Sequence, residues 1–212
     1  MVKKKHLLLE ALRHYGVAKK HWVSIKRYLD VLGARNEETG RHSIRVGLLA
    51  ARIGEYLEKS GIKAKTLLWA GLLHDIGKAL VDPDLFGNVG KFTEADYKRM
   101  EPHVEYGFRI LRGTHQWTAH IIVRHHRFGK RPYPDPLPES FFSPSMDKVF
   151  DKYARILALA DYYDALMTRD NEKFGKRKLS PAEKREQYLK DNSDQRNLIL
   201  ELEKAGILTF SA

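Results

Sequence analysis

Residues Ala70–Lys78 read AGLLHDIGK. The apolar run before them predicts a helix over Lys63–Ile76 that carries an adjacent His74-Asp75 pair at its C-terminal end, with Gly77-Lys78 following. Two metal-type ligands and an amine thus fall together. A His-Asp dipeptide alone says little, because such pairs are common and usually solvated. It gains meaning here because other histidines and carboxylates recur where a histidine–carboxylate centre needs them.

Working outward, apolar residues repeat with helical rather than strand periodicity. There is no sustained period-2 alternation and no Asn-Gly or Asp-Gly hairpin signal, so the fold class is all-α. Upstream, Lys5–Tyr15 and Lys20–Leu32 read as amphipathic helices stopped by Gly16 and Gly33. A long helix over Glu38–Ser60 puts Val46, Leu49, Ala50, Ile53 and Leu57 on one face. His42 lies four residues before Val46 and Glu38 four before His42, which continues that stripe with an imidazole and a carboxylate. Downstream, Val81–Phe92 is loop-rich, Thr93 caps a short helix, and Pro102 puts His103 in the first turn of a helix through Leu111. Trp117–His126 ends in His125-His126, and the Pro- and Gly-rich Arg127–Pro144 forms an irregular lip. Asp161 and Asp164 belong to a helix over Asp147–Met167, Lys173–Lys178 is a basic linker, and Ser180-Pro181 with Glu183 starts a further helix. Asp194 opens the last helix, which ends near Gly206. The expected organisation is an N-terminal helical extension over 1–36, a main domain over 37–190 and a C-terminal helix over 191–212.

A chain of 212 residues has the length of one domain with a sizeable core, and its 42% apolar and 31% charged residues are those of an ordinary soluble protein. The absence of cysteine removes disulfides, thiolate catalysis and zinc-finger ligation, so any metal must sit on imidazole and carboxylate. No apolar stretch is long enough to span a bilayer, and Met1–Lys5 leads into an amphipathic helix rather than a signal segment, so a cytoplasmic location is expected. A net charge of +11 favours anionic partners. With no basic block longer than Lys3–Lys5 and no nucleic-acid-binding motif, a phosphate-attracting cleft explains it better than a nucleic-acid surface.

The candidate ligands are Glu38, His42, His74, Asp75, His103, His125, His126 and Asp161. One ion needs only about three or four protein ligands, so this set implies two ions or three. Such a centre suits activation of water for in-line attack on phosphorus. Adjacent helical residues point about 100° apart, so His125 and His126 can reach two ions, or one ion and a substrate; they can also simply complement a helix dipole. Asp161 sits in the apolar run LALADYYDAL, where an unpaired carboxylate is costly; a metal relieves that cost, and so would an arginine such as Arg155. His6, His14, His21, His115 and His120 have no matched partners and read as surface or structural.

The order His42, His74-Asp75, Asp161 resembles the HD-domain metal-dependent phosphohydrolases. The strings ETGRHSIRV (Glu38–Val46), LLHDIGK (Leu72–Lys78), MEPHVEYGFRIL (Met100–Leu111), HHRFGKRPYP (His125–Pro134) and LALADYYDALMT (Leu157–Thr168) are similar to the HD-GYP branch, associated with hydrolysis of cyclic di-GMP. The resemblance implies an HD-domain helical bundle in which His42, His74, Asp75 and Asp161 hold one ion and Asp75 bridges to a second on His103, His125 and His126. Glu38 resembles the carboxylate that serves a third ion, and Lys78 the amine that steadies the scissile phosphate. Iron or manganese is expected, while zinc and nickel accept the same ligands. Departures concern the substrate side. Arg127 follows His126 where the branch carries glutamate, Pro132 replaces the glycine of Gly-Tyr-Pro, and Arg169-Asp170-Asn171 stands for Arg-Pro-Tyr. Arg127, Tyr133, Arg169 and Lys173 are the expected substrate contacts. The implied function is a phosphodiesterase of a cyclic dinucleotide. The alternatives are a phosphohydrolase of other nucleotides or phosphoesters, and a non-catalytic, metal-containing nucleotide-binding module.

Overall fold

The computed structural model describes residues 2–87, 92–168 and 178–211, and every regular element among them is helical. In chain order these are α1 (Val2–His14), α2 (Trp22–Arg35), α3 (Glu37–Tyr56), α4 (Ala64–Leu73), α5 (Asp84–Gly87), α6 (Glu94–Met100), α7 (His103–Leu111), α8 (Gln116–Ile122), α9 (Pro144–Thr168), α10 (Pro181–Asp191) and α11 (Arg196–Lys204). The fold is all-α.

The arrangement follows from α4. Leu67, Leu68, Ala70, Gly71, Leu72 and Leu73 are all buried, and a helix that is apolar around its circumference must be surrounded. α3 lies along it, with α2, α8 and α9 closing the other sides. The approach of α3 is set by glycine: a Cβ at Gly71 would stand 2.5 Å from Gly47 Cα, a distance only the bare backbone tolerates. Ile25 and Leu32 of α2, Val46 and Ile53 of α3, Leu157 of α9 and Ile199 and Leu202 of α11 join the same core, so the terminal helices pack on the centre that the middle of the chain builds.

Several helix ends differ from the sequence expectation. α2 runs past Gly33 to Arg35, because Gly33 keeps a helical backbone, with the bare backbone of Gly40 packed against it, while Asn36 ends α2 and caps α3 through its side chain. The α3 helix stops at Tyr56, and Glu58–Ser60 is a separate 3₁₀ turn. α4 ends at Leu73 and α8 at Ile122, so His74-Asp75 and His125-His126 lie beyond their helices in tight turns. α5 occupies part of the expected Val81–Phe92 loop, α9 starts at Pro144, and Asp194 lies in a 3₁₀ turn ahead of α11. The Thr93 cap and the Ser180–Glu183 capping box form as expected.

Candidate metal centre

Because α4 ends in the interior, the residues after it are delivered there: His74 and Asp75 are both 0% exposed. The chain then tightens into a 3₁₀ turn, Ile76–Leu80, that packs on α7. Gly77 allows this contact, since a Cβ there would overlap the carbonyl of His103 and stand 2.5 Å from the Gly107 nitrogen. His103, at the start of α7, is thereby held beside Asp75, with Nε2 3.5 Å from Oδ1. On the other side of the same carboxylate, His74 Nε2 is 3.4 Å from Oδ2. Asp75 therefore faces two groups of imidazoles, one oxygen to each.

Each ring is anchored from behind. Nδ1 of His74 donates to the Gly71 carbonyl and Nδ1 of His103 to the Met100 carbonyl, both at 2.8 Å, and Nδ1 of His125 donates to the Ile122 carbonyl. His42 uses a carboxylate instead: its Nδ1 is 2.6 Å from Asp164 Oδ2, and Arg45 bonds both Asp164 oxygens. Fixing Nδ1 leaves Nε2 as the nitrogen turned inward, the one through which an imidazole so anchored binds metal. Among the described residues, Nε2 of His74, His103 and His125 and Oδ1 of Asp75 are buried without hydrogen-bond partners, while Nε2 of His42 lies 2.9 Å from Asp161 Oδ1. An unsatisfied buried polar atom costs about 1–3 kcal/mol, so this many converging on one place fits a centre that metal ions complete. His42–His74–Asp75, His74–His125–Asp161 and His103–His125–His126 each bring ligand atoms within 4.8 Å of one another, and the shared residues link them into one cluster.

Charge follows the same division. Burial opposes the cation of His74, yet Asp75 and Asp161 raise it to about 10. Burial, with Lys78 beside it, lowers His103 to about 3, and burial together with His74 lowers His125 to about 4. Burial and its two imidazole neighbours push His126 well below the usual range. Asp75 and Asp161 resist burial and are held well below the carboxylate range, Asp75 by His74 and Lys78 and Asp161 by His42 and His74. One end of the cluster thus pairs anionic carboxylates with the His74 imidazolium, and the other is a set of neutral imidazoles.

The remaining expected residues divide. Lys78 is no solvated helix-end lysine: its Nζ donates to Asp75 Oδ2 at 2.6 Å and its side chain is 13% exposed. Tyr133 stacks on His126 with ring centroids 4.6 Å apart. Glu38 stands apart from the converging atoms, because Arg45, one face of which holds Asp164, draws it out to a 2.6 Å ion pair. Arg127 does not face the cleft; it donates to the Pro134 carbonyl and ties the lip to itself. Arg155 pairs with Asp194 and Asn192 rather than with Asp161. Arg169 and Lys173 lie outside the described residues. Sequence reasoning missed Asp164 and Arg45 as site residues, although Asp164 follows Asp161 by three positions on one helix, which was the available signal. Above the cluster opens a cleft of about 860 Å³ whose walls include Phe86, Phe92, Tyr97, Phe128, Tyr133 and Tyr162.

An all-α bundle with buried histidine–carboxylate groups able to hold metal ions is the class that fold and site define. The family model for the HD domain matches residues 39–166, more than half of the chain, and the chain belongs to that family. It is 34% identical over 140 residues to a cyclic di-GMP phosphodiesterase of Thermotoga maritima, covering 64% of this chain and 36% of that protein. It is 32% identical over 138 residues to the 3'3'-cGAMP-specific phosphodiesterase 2 of Vibrio cholerae, covering 63% and 25%. A cyclic di-GMP phosphodiesterase response regulator of Xanthomonas campestris is 29% identical over 150 residues, covering 68% and 38%. The matched region is thus 25% to 38% of the length of these relatives. No helix among the described residues is long and apolar enough to cross a membrane.

Proposed function

We propose that the chain is a metal-dependent phosphodiesterase that hydrolyses a cyclic dinucleotide, cyclic di-GMP in particular. The observation that carries this reading is the convergence of buried, unpartnered ligand atoms on Asp75, whose two oxygens face different imidazole groups. In this reading His42, His74, Asp75 and Asp161 would hold one ion and His103, His125 and His126 a second, with Asp75 placed between the two sets. Iron or manganese suits such a set. When bound, the ions polarise a phosphoryl oxygen and lower the pKa of water enough to supply a nucleophile near neutral pH.

The chain's own residues do the rest. Asp164 and the carbonyls of Gly71, Met100 and Ile122 fix the rings, so little reorganisation accompanies the reaction. Lys78 stands between Asp75 and the cleft, where N–H bonds not used on Asp75 can offset charge that builds on a phosphoryl oxygen. Tyr133, stacked on His126, covers one side of the cluster and excludes water there. The relatives' names support a cyclic dinucleotide as substrate, and the size of the cleft accommodates one. Arg127, one of the expected substrate contacts, instead bonds the Pro134 carbonyl, which lends no support to a substrate gripped by its terminal phosphate.

The test is chromatographic product analysis after incubating anaerobically purified, manganese-loaded protein separately with cyclic di-GMP and 3'3'-cGAMP. Linear dinucleotide or GMP forming faster from cyclic di-GMP is the expected result. Faster conversion of 3'3'-cGAMP would move the assignment to the mixed dinucleotide, and no conversion of either by metal-replete protein would overturn it.

A further inference from the structure

The cations lining the cleft fall into two sets. Arg45, Lys78 and Arg155 are committed to the carboxylates of Asp164, Asp75 and Asp194. Lys130 and Arg131, adjacent on the lip, have exposed side chains that turn to different partners. Lys130 Nζ lies 2.8 Å from Asp191 Oδ1, and Arg131 Nη1 lies 2.6 Å from Glu94 Oε2. The Arg131 guanidinium also sits 5.0 Å over the Tyr97 ring, and Lys130, Arg131, Tyr97 and Asp191 all line the same cleft as the ligand cluster.

We propose that Lys130 and Arg131 are specificity-determining residues that hold the phosphodiester of the substrate that is not under attack, exchanging Asp191 and Glu94 for it on binding. The proposal rests on the cyclic dinucleotide reading above. Such a substrate carries two phosphodiesters; the cluster takes one, and the other must find cations in the same cleft. Of the cleft-lining cations among the described residues, these two are released most cheaply. Arg131 and Glu94 are 56% and 62% exposed, and an ion pair this open to water is worth about 0–1 kcal/mol. Asp191 is 17% exposed against 78% for Lys130, but it keeps its bonds from Tyr162 and Gln187 when Lys130 leaves, so trading a carboxylate for a phosphate costs little at both. Arginine gains by the trade, since its planar fork matches phosphate with two parallel N–H bonds. Tyr97 orients the guanidinium beforehand, which reduces the freedom lost on binding. The lip that departs from the family pattern thus supplies a phosphate grip of its own, in place of the role the sequence assigned to Arg127.

The two ion pairs could equally be struts that hold the lip across the cleft, and the variants separate the roles. A strut needs both partners; a grip needs only the cation. The experiment measures kcat and KM for cyclic di-GMP and for bis(4-nitrophenyl) phosphate, which has a single phosphodiester, in holoprotein carrying Lys130→Ala, Arg131→Ala or Glu94→Gln. Either alanine variant should lower the ratio of kcat/KM for the dinucleotide to that for the single diester by about tenfold or more, through KM. Glu94→Gln should hold that ratio or raise it, because Arg131 then has no competing carboxylate. A ratio within about twofold of wild type in both alanine variants would overturn the proposal. So would Glu94→Gln lowering the ratio as far as Arg131→Ala does, since that is the signature of a strut. Wild-type protein that hydrolyses the single diester but no cyclic dinucleotide would overturn the substrate reading itself, and would be recognised before any variant is made.

Discussion

His42 reaches the cluster with its orientation fixed from behind, by Asp164 and through it by Arg45. Asp164→Asn keeps the size of the side chain but removes the charge and the certainty of the tautomer. Metal affinity is expected to fall about 10–100-fold, measured by competition with a chelating dye; unchanged affinity would deny Asp164 this role. Several of the candidate ligands were legible in the sequence through a local mark: an adjacent His-Asp pair after an apolar run, a paired His125-His126, an Asp161 in an apolar run. Asp164 bore a fainter mark, since its meaning depends on α9 crossing α3, and no spacing within α9 encodes what lies opposite. The Arg45 partner of Glu38 was hidden for a different reason. The place of Glu38 on the stripe with His42 is real, but Arg45 lies on the same helix and offers an exposed carboxylate a closer partner.

At the level of elements, the site depends on backbones that approach closely. Gly71→Ala places a methyl against Gly47 where α3 and α4 cross, and should cost about 1–3 kcal/mol or more of stability in urea unfolding while also loosening His42 against His74. Wild-type stability would contradict the packing. The helix ends at Leu73 and Ile122 were not foreseen because a 3₁₀ or turn continuation has the same residue pattern as one more helical turn; the inward-facing His74 and His125 rings, bonded to carbonyls three residues back, are what the tighter geometry secures. Farther out, Arg155 on α9 holds Asp194 ahead of α11 and lowers its carboxyl to about 2. A carboxylate depressed in the folded state stabilises above its unfolded pKa near 3.8 and loses that contribution as pH falls through about 2. The stability difference between wild type and Asp194→Asn should therefore be constant above about pH 5 and shrink toward pH 2. Asp194 is 59% exposed, so solvent screening keeps the difference to about 1 kcal/mol or less.

For the molecule as a whole, helical periodicity and the absence of strand signals made the all-α class readable from sequence. What it could not convey was that α2 and α11, near the two ends of the chain, enter the same core as α4. The shape of the lip was likewise hidden, since Arg127, Lys130 and Arg131 find their partners at Pro134, Asp191 and Glu94 through the tertiary fold. A cluster of buried, unpartnered ligand atoms couples metal to folding: ions at a hundredfold excess over their dissociation constant add about 2.7 kcal/mol, on the order of 5–10 °C in Tm for a chain of this size. Chelator-treated protein should melt lower by that amount and recover on adding manganese. The central claim, that Asp75 joins two groups of ligands into one centre, is met most directly by elemental analysis of metal per chain in wild type and Asp75→Ala purified side by side. The prediction is about two to three ions per chain in wild type and loss of most of that metal in the variant. Full metal content in folded Asp75→Ala protein would contradict it.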